Sequence, residues 1–111
     1  MTAPEAAPHT PVMLAEVLDA LAPRDERLYV DATFGAGGYA AAILGAASSR
    51  VLGIDRDAEA CQRAEALVAR YGGRLTVIHG RFGDLSRLAA ARSIEAIDGI
   101  AFDLGVSSMQ L

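Results

Sequence analysis

The sequence predicts an α/β fold: a doubly wound, Rossmann-like parallel sheet, of which this chain supplies an N-terminal half with about four strands. Three observations predict it. Short, continuously apolar segments alternate with helical ones along the chain. A glycine-rich turn stands between the first strand and the helix that follows it. Three strands end in an aspartate, namely Asp31, Asp55 and Asp103. Strands that are apolar throughout are buried on both faces, which requires helices on either side of the sheet. Right-handed crossovers then wind the chain in both directions, and ligands bind beyond the carboxyl ends of the strands. The aspartates therefore mark the expected site.

The elements follow from apolar spacing and turn residues. Residues 1–8 (MTAPEAAP) are rich in alanine and proline and read as a disordered tail. Thr10 is placed to cap a helix that has Pro11 at its first position. Val12, Leu14, Val17, Leu18 and Leu21 lie mostly on one face of it, and Pro23 stops it. Leu28, Tyr29 and Val30 form the first strand, ending at Asp31. The turn Gly35-Ala36-Gly37-Gly38 opens an alanine-rich helix over residues 39–47, and the second strand is 51–54, ending at Asp55. Residues 57–71 read as one helix, with Ala60, Ala64, Leu67 and Val68 on one face and Gly72-Gly73 as its stop. A third strand (75–78) reaches His79-Gly80, a weaker helix covers 85–92, and a fourth strand covers 97–104. The last residues, GVSSMQL, read as a loop.

At 111 residues and 52% hydrophobic, the chain has the material for one domain or part of one. No apolar run approaches the roughly 20 residues that cross a bilayer, and no secretion signal opens the chain. A cytoplasmic protein is the expectation. The single cysteine, Cys61, lies in a helical pattern and reads as a small buried or half-buried side chain; a metal site is not expected. The net charge is −4, and all ten basic residues are arginine. A module that grips nucleic acid unaided carries a basic stripe, and none is visible. For an RNA substrate, most phosphate contacts would come from chain beyond Leu111 or from a partner.

Gly35 through Ala40 satisfies G-x-G-x-x-G/A, and Asp55 stands twenty positions after Gly35. Glycines let backbone approach a ligand, and an acid at the end of strand two suits ribose hydroxyls. NAD and S-adenosylmethionine would both use such a pair. A pyrophosphate on the turn would be repelled by further carboxylates, whereas an ammonium and a sulfonium favour them. Asp31, before the turn, and Asp103, from the neighbouring strand, therefore point to the methyl donor. Competing readings stand beside these: a ligand-free tight turn, Asp31 capping that turn, and Asp55 as the N-cap of the next helix.

Five strings carry a family resemblance: His9-Thr10-Pro11-Val12-Met13-Leu14, residues 29–38 (YVDATFGAGG), Gly53-Ile54-Asp55-Arg56-Asp57, His79-Gly80-Arg81-Phe82, and residues 103–108 (DLGVSS). In this order and spacing the chain, from His9 onward, resembles the MraW-type family of ribosomal RNA small subunit methyltransferases H. The resemblance implies a Rossmann-like class I methyltransferase that transfers a methyl group from S-adenosylmethionine to N4 of a cytidine in the decoding region of 16S rRNA, within the bacterial small ribosomal subunit. It implies donor contacts at Gly37, Gly38, Tyr39, Asp55, Phe82, Asp103 and Gln110, beside the Gly35 and Asp31 already singled out. Tyr39 replaces a histidine found in many members, and Met109 a proline, which loosens the loop before Gln110. Phe82 is placed to pack on adenine or, equally, in the core. His79 reads as structural, and His9 as an exposed residue before a helix.

For such a reaction an acceptor must orient the amine and take its proton. Asp103 is the candidate, with Ser107 and Ser108 as auxiliary hydrogen-bonding groups. The alternatives are that Asp103 touches only the donor and that the serines satisfy loop backbone. Residues 9–111 are expected to form the first part of a donor-binding domain whose complete sheet has about seven strands. A four-stranded piece leaves its last strand as an open edge. Little or no transfer is expected from the chain alone. The competing functions are the nucleotide-binding half of an oxidoreductase and a non-catalytic binding remnant.

Overall fold

The computed structural model describes residues 14–102 and, as backbone, residues 105–107. The tail and the cap at Thr10 lie outside these residues. The apolar segments form β1 (Leu28–Asp31), β2 (Arg50–Asp55), β3 (Leu75–His79) and β4 (Gly99–Phe102). All four run parallel: β1 pairs with β2 and β4, and β2 pairs with β3.

One short strand is an addition to the sequence reading. Gly105–Ser107, within the segment expected to be a loop, forms β5 antiparallel to β4, with Ala101 opposite Val106. The expected open edge at β4 is thereby covered. Unpaired N–H and C=O groups along a sheet edge recruit whatever backbone can reach them. A three-residue strand of that origin carries no apolar alternation to announce it.

The sheet order is β3-β2-β1-β4-β5. The chain therefore steps outward from β1 through β2 to β3, then returns to the other side of β1 for β4. The point of reversal lies between β1 and β4, and sheets of this order bind ligands beyond the carboxyl ends of their strands.

Alternation along each strand builds two cores. Tyr29, Val51, Leu75 and Ala101 face one side, packed with α1 (Leu14–Leu21), α2 (Gly38–Ala46) and α4 (Glu65–Tyr71). Val30, Leu52, Ile78 and Ile100 face the other, packed with Leu85 and Leu88 of α5 (Leu85–Ala90) and with Ile97. The helix expected over 57–71 is two helices, α3 (Ala58–Arg63) and α4, meeting at a buried Ala64 with ψ of −11°. The segment expected as helix over 85–92 leaves the helix after Ala90. No helix among the described residues is long and apolar enough to cross a membrane.

Candidate functional site

The glycine-rich turn is anchored to β2 at several points. The N–H of Phe34 donates to the carbonyl of Ile54 at 3.0 Å, and the N–H of Gly37 donates to the carbonyl of Phe34 at 2.7 Å. Between them Gly35 takes φ of +53° and Gly37 φ of +87°. This left-handed backbone is readily available only to glycine. The turn then passes into α2, whose first residues follow Gly37.

Asp55, at the end of β2, completes the structure. Its Oδ2 accepts from the Gly35 N–H at 2.7 Å and its Oδ1 from the Asp57 N–H at 2.9 Å. Asp57 is the N-cap of α3, accepting from the Glu59 N–H at 2.9 Å. The cap expected as a competitor for Asp55 thus falls to the residue two positions later. Asp55 instead holds the glycine turn against the strand end.

Across from the turn, the chain leaves β3 through Gly80, whose N–H donates to the carbonyl of Asp55 at 2.9 Å, and enters a 3-10 turn over Phe82–Asp84. A cleft of about 840 Å³ lies between the two turns, lined by Gly35, Gly38, Tyr39, Asp55 and Phe82 among others. Phe82 is 41% exposed, the one large apolar side chain so exposed among the described residues. Its ring is not packed into the core formed by the described residues. Gly37 lies buried beneath the cleft, against Phe34 and Leu67.

Asp31 is wholly buried at the end of β1, and its Oδ1 accepts from the Thr33 N–H at 3.3 Å. That is the contact the turn-capping reading predicts. Asp103, Ser108 and Gln110 lie outside the described residues, and Ser107 is described only as backbone of β5. Phe34, Arg56 and Arg81 are among the lining residues that escaped the sequence reading as site residues. For Phe34 a signal existed. Gly53 interrupts an otherwise apolar strand, and such a glycine marks close approach by another group.

Two further side chains prove structural. His79 Nε2 lies 2.9 Å from the carbonyl of Arg56, so Nε2 is the donor, tying the ends of β2 and β3 together. Cys61 is half-buried with Sγ 3.9 Å from the Asp55 carbonyl. Burial pushes its thiol pKa up, and the Asp55 and Asp57 carboxylates push it further.

A sequence profile of the MraW methylase family matches residues 6–111. The chain belongs to this family. It is similar to ribosomal RNA small subunit methyltransferase H of Parvibaculum lavamentivorans, 58% identical over 106 residues that make up 96% of this chain and 31% of the relative. The Sphingopyxis alaskensis protein of the same name is 59% identical over 103 residues, 93% of this chain and 31% of the relative. The chain thus spans about a third of the length of the curated relatives it matches. Among solved structures it is similar to the C-terminal domain of precorrin-6Y C5,15-methyltransferase from Rhodobacter capsulatus, with TM-score 0.64, 24% identity, and 79% of this chain and 46% of that one covered. It is also similar to an rRNA methylase from Streptococcus thermophilus, with TM-score 0.59, 24% identity, and 92% and 51% covered. At that identity the likeness is one of fold, the Rossmann-like methyltransferase fold. Membership of the MraW methylase family implies a methyl donor.

Proposed function

We propose that residues 9–111 form the donor-binding part of an S-adenosylmethionine-dependent methyltransferase acting on N4 of a cytidine in the decoding region of 16S rRNA, in the cytoplasm. One observation carries the reading. Asp55 clamps the glycine turn by its Oδ2 while lining the cleft opposite an exposed Phe82. A carboxylate, close-approaching backbone and an aromatic face are the donor set an adenosine group needs. An ionised carboxylate has about four acceptor directions, and two are used by Gly35 and Asp57, which leaves two for ribose hydroxyls.

When bound, S-adenosylmethionine supplies an electrophilic methyl on a sulfonium. The chain's own residues bind and orient. Gly35, Gly38 and Tyr39 bring backbone close, Gly37 lets the turn bend beneath them, Asp55 takes ribose, and Phe82 offers its ring to adenine. Asp31, wholly buried at the end of β1, holds the start of the turn through the Thr33 N–H. Asp103 follows β4, which lies beside β1, and in this reading it orients the target amine and accepts its proton. Gln110 contacts the donor, and Ser107 and Ser108 assist through hydrogen bonds. The partner is the small ribosomal subunit.

A second reading has its own observation. Arg56 and Arg81 line the cleft and take part in none of the ion pairs among the described residues. Their charge would suit a phosphate-bearing nucleotide such as NAD.

The test of the activity uses the chain extended with the C-terminal region of its Parvibaculum relative. Incubation with unmodified small subunits and methyl-labelled donor should yield N4-methylcytidine in 16S rRNA, detected by nucleoside mass spectrometry. Asp103→Ala should lower turnover by about a hundredfold or more. Label at another base, or near-normal turnover of the variant, would contradict the assignment.

A further inference from the structure

The geometry points to Phe34 as the positioning residue of the donor-binding turn, with Gly53 as the seat that its ring locks into. The inference rests on the donor-binding reading above and adds to it a residue that contributes through the backbone it holds. Phe34 is 3% exposed, so its ring offers a ligand little surface. What the ring does is fill two places where side chains are missing. A Cβ on Gly53 would stand 2.5 Å from Phe34 Cδ1 and 3.2 Å from Cγ. A Cβ on Gly37 would stand 3.0 Å from Phe34 Cζ and 2.8 Å from Leu67 Cδ2. The ring is thus wedged between β2 and the first turn of α2.

The wedge sets the path of the turn. Phe34 is bonded through its N–H to Ile54 and through its carbonyl to Gly37, so Gly35 is suspended between fixed points. Its N–H then meets Asp55 Oδ2 at 2.7 Å. Lifting the ring moves the backbone that lines the cleft and the carboxylate bonded to it together. Interiors are packed too densely to absorb such a shift without passing it on.

The experiment measures S-adenosylhomocysteine affinity by calorimetry for the wild-type chain, Phe34→Val, Gly53→Ala and the double variant. Circular dichroism reports folding, and NMR follows exchange of the Gly35 and Gly37 amides. Valine reaches no further than the ring's Cγ, so it relieves the closest contact with the methyl that Gly53→Ala introduces. Gly53→Ala and Phe34→Val should each weaken binding by about tenfold or more, and the double variant should lose less than the two losses combined, because both break the same contact. Amide exchange at Gly35 and Gly37 should quicken in step with the loss of affinity. Folded single variants that bind as the wild type does would overturn the inference and leave Phe34 an ordinary core residue. If Gly53→Ala unfolds, the ligand-free wild type decides: slow exchange at Gly35 and Gly37 relative to Gly83 supports the lock, and equal exchange overturns it. A folded wild-type chain that binds no S-adenosylhomocysteine would instead refute the donor reading, and this inference with it.

Discussion

Asp55 serves two backbone amides at once, and its place in the sequence announces only half of that work. The spacing from Gly35 to Asp55 marks an acid near a glycine turn. That the carboxylate holds the turn itself follows from the Phe34–Ile54 hydrogen bond, which brings the turn over the strand end. Long-range backbone pairing of this kind leaves no local pattern to read. Cys61 shows the reverse case, a residue whose bland reading was legible from its helical setting. Its pKa is raised by burial, then by Asp55 and Asp57, so less thiolate exists at neutral pH than for a free cysteine. Labelling by a disulfide reagent at pH 7 should therefore run slower than for glutathione and keep rising with pH beyond the ordinary thiol range. Asp57→Asn should speed it at neutral pH. A rate at pH 7 equal to that of glutathione would contradict this assignment of the thiol.

Helix α2 begins at the site, yet its stability depends on a residue far along the chain. It has no basic residue in its last turn and ends at an extended Ala47. Arg74 supplies the missing cap: its Nη2 donates to the carbonyls of Leu44 and Ala47 at 2.7 Å each, and its Nε to that of Ser49 at 3.0 Å. Arg74→Ala should cost about 1–3 kcal/mol after allowing for partial exposure, lowering the melting temperature by roughly 5–15 °C. Arg74→Lys should restore little of this, since an ammonium cannot span three carbonyls as a planar fork does. A thermal melt of both variants checks it. At this scale the parallel strands were legible because continuous apolar runs can only be buried on two faces. The break at Ala64 was not, because alanine is the best helix former and nothing in the local sequence marks a stop there. Strand β5 was not legible either, because pairing with the β4 edge creates it rather than side-chain pattern.

For the whole molecule, the order β3-β2-β1-β4-β5 places the glycine turn, Asp55 and the turn after β3 at one end of the sheet. The alternation of strands and helices was enough to point to that end, where the cleft lies. It was not enough to predict the arginines on its rim, since nothing in their local sequence separates Arg56 and Arg81 from solvated charges. The chain spans about a third of the length of its relatives and carries a net charge of −4, so it offers no excess of basic residues for gripping RNA by itself. The most direct test is a calorimetric titration of S-adenosylhomocysteine and, separately, NAD into this chain and into Asp55→Ala. The predicted result is saturable binding of S-adenosylhomocysteine alone, weakened about tenfold or more by the substitution. Preferential binding of NAD, through Arg56 and Arg81, would contradict it.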